Sequence, residues 1–242
     1  MREHWFCYII INDKENFVFT SGINFKDFFS SIPRRPTHFL VIEGDPCHAL
    51  YNDDTKMWVV PEESIMEFAE ENVYSFGNFS WVDYENDSQI KNISKIELAE
   101  LLYATHMKKP ISAYTWASLN NNFLYLSHDD SFWVKVYLKD VDDYKYVIEH
   151  KIRKELKGKR RSIEPISECI LNSVFDFCKN GAVFDFENMV ETGMGVGVTI
   201  YKVGDVGLNA ANIHNKFDEQ KRIIANEIFL DYNSRSKKWR IY

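Results

Sequence analysis

The sequence predicts an α+β fold built mainly on antiparallel sheet, with hairpins and four to six helices in one or two lobes. Three observations predict it. Short runs rich in β-branched and aromatic residues recur in pairs around clusters of Asn, Asp, Ser and Lys, which is hairpin grammar. Between these pairs lie segments whose apolar residues fall at i, i+3, i+4 and i+7, the spacing of one helix face. The 242 residues are 45% hydrophobic and 27% charged, an ordinary globular balance with enough apolar side chain to offset the entropy of ordering.

The elements follow in order. His4 to Ile11 and Phe17 to Thr20 flank Asn12–Asn16 as a first hairpin. Asn24 can cap a helix carrying Phe25, Phe28, Phe29 and Ile32 on one side, stopped by Pro33 and Pro36. Thr37 to Glu43 is a strand. Cys47 to Tyr51 and Met57 to Val60 form a second hairpin, and Pro61 opens an acidic helix that turns Ile65, Phe68 and Ala69 inward. Val73 to Tyr84 reads as an aromatic strand bent at Gly77.

Ser94-Lys95-Ile96-Glu97 is a capping box, in which Ser and Glu satisfy free backbone amides reciprocally. The helix after it carries Ile96, Ala99, Leu102, Tyr103 and His106 or Met107 at helical spacing. Phe123 to Leu126 and Trp133 to Leu138 make a third hairpin. Asp143 can cap a helix striped by Val147, Ile148, Ile152 and Leu156. Another helix runs from about Pro165 to Lys179, with Ile166, Ile170, Val174, Phe177 and Cys178 inward, and Asn180-Gly181 ends it. Val183 to Phe186 and Val196 to Val203 are strands, and Ala210 to about Asn226 is a helix. Ile228 to Tyr232 and Trp239 to Tyr242 close the chain as a hairpin.

The expected organisation is an acidic hairpin and helix lobe over residues 1–110 and a near-neutral α+β lobe over 120–242, or one continuous domain. The break is placed between Met107 and Asn122, around Lys108-Lys109-Pro110 and the Asn120–Asn122 run. Charge divides the chain similarly. Residues 1–120 hold 10 basic and 18 acidic side chains, and the rest hold 19 and 18, which together give the net −7.

Several function classes are excluded or disfavoured by composition. No apolar run approaches the roughly 18 to 20 residues of a membrane span. Trp5 to Ile11 is expected to be a buried strand and not a signal peptide. Cys7, Cys47, Cys169 and Cys178 form no C-x-x-C pair, so they are expected to be small buried hydrophobes in a reducing, cytoplasmic compartment. Cys47 and His48 are neighbours on a strand and point apart, so they make no nucleophile–base pair.

Five constellations could carry chemistry. In the first, Asp53, Asp54, Glu62, Glu63, Glu67, Glu70 and Glu71 precede Tyr74, Phe76, Phe79, Trp81 and Tyr84. An acidic field rimmed by aromatics suits a basic protein partner, with Glu63, Glu67, Glu70, Tyr74 and Trp81 as the contacts. In the second, Asp185 and Glu187 alternate on a strand with Lys202 across a hairpin, an arrangement that in nuclease cores binds a divalent metal. The third is His106, His128 and Asp129. This order is similar to the metal-binding pattern of HD-type phosphohydrolases, which implies metal-activated water. Here, however, His128 and Asp129 sit at a hairpin turn, where that family uses helices.

The fourth is the basic run from Lys151 to Arg161. Lys154, Lys157 and Arg160 are its candidate phosphate contacts, with Lys151 on the same helix face. The fifth is the glycine cluster Gly193, Gly195 and Gly197. It lacks G-K-S/T and fails G-x-G-x-x-G at Val198, so a hairpin accounts for it better than a phosphate loop.

The expectation is a cytoplasmic protein-binding module, of the inhibitor or immunity type, that works through an acidic-aromatic surface. The alternative is a metal-dependent phosphodiesterase or nuclease. No cofactor is assigned, and a divalent metal belongs only to the alternative. The expected partner is a protein, basic if the acids make the contact. A membrane is not expected, nucleic acid is disfavoured by the net charge, and a homo-oligomer through the aromatics is a third reading.

Overall fold

The computed structural model describes residues 7–44, 49–70, 78–106, 111, 114–128, 132–157, 162–191, 193–207, 210–221, 223 and 226–242. Among these it is a mixed α+β chain in which strands dominate, with thirteen strands and seven α-helices. Residues group into two compact units. One holds Met1–Asp13, Thr20–Ile23 and Tyr144–Tyr242, and the other holds Lys14–Phe19 and Asn24–Asp143.

In the second unit six strands lie in the order β8 (Trp133–Leu138), β7 (Phe123–His128), β6 (Phe79–Tyr84), β3 (His38–Glu43), β5 (Met57–Val60) and β4 (Leu50–Asn52). All these neighbours pair antiparallel. Helix α1 (Phe25–Ser31) starts where Asn24 accepts the Asp27 amide at 2.8 Å, the cap expected from the sequence. Its Phe25 meets Phe39, Phe79, Trp81 and Tyr125 edge-on at 5.5–5.9 Å between ring centroids. Phe68 from α2 (Ile65–Glu70) joins the same cluster. Edge-to-face packing sets the positive rim of one ring against the negative face of the next, so these pairs contribute beyond their buried area. Much of the aromatic content, 15% of the chain, is therefore core.

Two further helices follow β6. Helix α3 (Asp87–Lys91) begins with a reciprocal cap between Asn86 and Gln89. Helix α4 (Lys95–Ala104) begins with the Ser94–Glu97 box read from the sequence. The Asn120–Asn122 run is tightly bonded. Asn121 is buried, accepts the Trp116 amide at 2.9 Å, and donates to the carbonyls of Tyr114 and Phe123. Asn122 donates its amide and side chain to Asp83, as described below. Residues 107–110 of the expected break lie outside the described residues.

The first unit orders its strands β13 (Lys238–Ile241), β12 (Glu227–Asn233), β11 (Gly195–Lys202), β9 (Ala182–Phe184) and β1 (Cys7–Asn12), with the two-residue β10 (Val190–Glu191) on β11. Strand β2 (Phe17–Ser21) divides between the two groups of residues. Helix α5 (Tyr144–Lys157) buries Val147, Ile148, Ile152 and Leu156, the stripe read from the sequence. Helix α6 (Glu168–Cys178) buries Val174 and Cys178 as expected. It adds Leu171 and Phe175, while Ile170 and Phe177 stand half-exposed. Cys7 and Cys178 are buried, but Cys169 is exposed and Cys47 lies outside the described residues. Helix α7 (Ala210–Gln220) completes the unit.

The glycine cluster has a packing cause. A Cβ on Gly197 would meet the Phe229 ring at 2.3 Å, and one on Gly195 would meet the Tyr232 carbonyl at 2.6 Å. Strand β12 lies so close over β11 that only hydrogen fits. No helix among the described residues is long and apolar enough to cross a membrane.

Candidate functional site

Helix α4 turns much of its apolar stripe outward. Leu101 and Ala104 are fully buried, while Ile96, Leu102 and Tyr103 are 73%, 54% and 45% exposed. Lys95 and Ala99 are exposed on the same arc, and His106 is exposed two residues past the helix. At 100° per residue the five helical positions fill about 120° of the helix circumference. The stripe read at helical spacing therefore faces water.

The reason lies in the two acids. Glu97 accepts the Ser94 amide at 2.9 Å and the Ser118 hydroxyl and amide at 2.8 and 3.2 Å. Glu100 accepts the indole N–H of buried Trp116 at 3.0 Å. Burial raises the Glu97 carboxyl, but its contacts with Ser94 and Ser118 outweigh that and hold it below the ordinary carboxylate range. The polar side of α4 is thus fixed against the 116–118 turn, and rotation about the helix axis follows. Ordinarily the apolar side would be buried and the acids solvated. Here both acids lie on the packed side beside buried Leu101 and Ala104, and the outward face is apolar.

The acidic segment is only half of the expected surface. Glu63, Glu67 and Glu70 are exposed, Glu70 pairs with Lys26, and Met66 beside them is 57% exposed. Trp81, however, is fully buried and stacks on Tyr125 at 5.4 Å, so it cannot touch a partner. Its strand runs through the middle of the sheet, with both neighbours paired, which places it in the core. Phe79 and Tyr84 are buried with it, and Tyr74 lies outside the described residues.

The remaining candidates are placed as follows. Asp185 follows β9 and is buried, whereas Glu187 is exposed, because the chain leaves the strand after Phe184 and the two carboxylates lose a common face. Lys202 pairs with Ala182 across β9 and β11, while the Asp185 amide bonds the Thr199 carbonyl three residues away. The side chains that do reach Asp185 are Asn188, at 3.0 Å to each carboxylate oxygen, and Lys221, at 3.4 Å. Lys221 just beyond α7 was not singled out in the sequence, since 36 residues separate it from its carboxylate.

His106 is exposed and its ring meets Tyr103 at 6.0 Å. His128 is half-buried, with Nε2 3.0 Å from the Thr105 carbonyl, and Asp129 lies outside the described residues. Among the described residues no group of three His, Cys, Asp or Glu side chains could hold a metal ion. Lys154 and Lys157 are exposed on α5, but Lys151 is buried beside Glu155 at 2.7 Å and does not share their face. Arg160 lies outside the described residues.

One buried carboxylate escaped the sequence reading. Asp83 on β6 accepts the Phe123 amide at 2.6 Å, the Asn122 amide at 2.9 Å and the Asn122 side chain at 3.0 Å. Burial pushes its pKa up to about 6, against the pull of these donors. It fastens the start of β7.

Compared with protein-family models, with curated proteins and with solved structures, the chain matches none.

Proposed function

We propose that the chain is a protein-binding module whose anchor is the outward face of α4. A single observation carries this reading: Ile96, Leu102 and Tyr103 stand in water on one arc of a helix whose carboxylates are turned inward. Scattered exposed apolar residues are ordinary, but a contiguous stripe on one rigid element supports recognition. Such a stripe supplies desolvated contact area, which is where the energy of a protein interface concentrates. The exposed acids Glu63, Glu67 and Glu70 are then not the anchor.

A photo-crosslinking residue placed at Ile96 or Leu102, and for comparison at Glu63 or Glu67, tests the reading in the host cell. Adducts with protein are expected from the α4 positions, and charge reversal at Glu63, Glu67 and Glu70 is expected to leave them in place. Adducts from Glu63 or Glu67 alone, with none from α4, would overturn the choice of surface.

A further inference from the structure

We propose that the isolated chain forms a weak dimer by packing α4 antiparallel on α4 of a second copy. This rests on the reading above and names the partner of the same face. Size complementarity is the first argument. A two-fold contact must be self-complementary, each pair of residues being met again in reverse. When Ala99 of one copy lies against Leu102 of the other, the reverse pair forms as well. A small side chain then receives a large one twice, and the helices can approach closely.

Charge is the second argument. A net −7 opposes self-association in general. The outward arc of α4 is exempt, because Glu97 and Glu100 point inward and leave no carboxylate on it. Lys95 is exposed at the N-terminal end of the arc, and the last turn of α4 carries no basic residue. Antiparallel pairing sets Lys95 of each copy beside the carbonyl end of the other helix, where the peptide dipoles favour a cation.

Area decides the strength. At their observed exposures Ile96, Leu102 and Tyr103 offer on the order of 300 Å², whereas a stable complex buries about 800 Å² on each side. The pair therefore forms and dissociates with concentration and is not obligate.

Sedimentation velocity on the full chain, over roughly 5 to 300 µM, tests the proposal in the range expected of small interfaces. The weight-average coefficient is expected to rise with concentration. Ile96→Glu and Leu102→Glu each bury a charge in the pair and are expected to weaken it about tenfold or more. Lys95→Glu is expected to weaken it about threefold. Met66→Glu, on an exposed apolar residue of α2, is expected to leave it unchanged. Unaltered circular dichroism and thermal midpoints establish that the variants fold.

A wild-type chain that stays monomeric over the whole range overturns the dimer, as does association that survives Leu102→Glu or vanishes in Met66→Glu. In those cases, adducts from Ile96 or Leu102 to a different protein would keep the binding reading standing. Absence of any such adduct would remove that reading separately.

Discussion

Replacing Asp83 by Asn should change the pH dependence of stability in a calculable way. Asp83 is 3% exposed, and burial raises its pKa from 3.8 to about 6. As pH rises through 4 the unfolded chain releases this proton while the folded chain keeps it. The folded form therefore binds more protons between those two values. Its extra stability is fully present below about 4 and is lost as pH rises through about 6. A displacement of about two units corresponds to roughly 3 kcal/mol, as an order of magnitude. Other carboxylates titrate in the same window, and Glu97, held low, gives the opposite slope.

The Asp83→Asn variant isolates the term, because it removes one titration and leaves the rest. Urea unfolding followed by tryptophan fluorescence at pH 4 and pH 7 gives the two differences needed. The stability of Asp83→Asn minus that of the wild type should rise by about 3 kcal/mol between pH 4 and pH 7. Its absolute value is a separate matter, because the Asn amide presents a donor where the carboxylate accepted Asn122 and Phe123. A difference that falls with pH would mean that those donors outweigh burial, and a flat one would mean that the two cancel. Either result refutes the reasoning.

Three further outcomes follow from the placements above. Leu101→Ala should cost about 2–5 kcal/mol by opening a cavity, whereas neighbouring Leu102→Ala should change stability by no more than about 0.5 kcal/mol in the same urea titration. Gly197→Ala should lower the thermal midpoint markedly, because its Cβ collides with the Phe229 ring, while Gly193→Ala, with nothing within 4 Å, should not. Lys221→Ala should destabilise by about 1–3 kcal/mol by leaving buried Asp185 to Asn188 alone, and Lys202→Ala should be close to neutral by chemical denaturation.

What the sequence made legible was local. The Asn24 cap acts on an amide three residues ahead, and the Ser94–Glu97 box closes within four residues, so both could be read without knowing the fold. The Asn86–Gln89 cap belongs to the same class and was readable on the same grounds, though the expected elements passed it over. The polar ties that could not be read join distant segments. Glu100 meets Trp116 across 16 residues, Glu97 meets Ser118 across 21, Asp185 meets Lys221 across 36, and Asp83 meets Asn122 across 39.

These distant ties explain why the expected surface and the proposed one differ. Helical periodicity identifies an apolar stripe but carries no sign for its direction, and inward is assumed because burial is the commoner fate of such a stripe. In α4 that assumption meets two carboxylates that accept from the Trp116 indole and from the Ser118 amide and hydroxyl. Releasing them would strand the indole N–H of buried Trp116, a loss of about 1–3 kcal/mol. Turning Ile96 and Leu102 inward would recover about 1.5–3 kcal/mol each. Turning fully buried Leu101 outward in exchange would lose about 1.5–3 kcal/mol more, so gain and loss are of similar size, and the ties of Glu97 and Glu100 together with the space that Leu101 and Ala104 fill set the orientation. The apolar face left outside is then a standing cost to the isolated chain, and contact with another protein surface is the event that would relieve it.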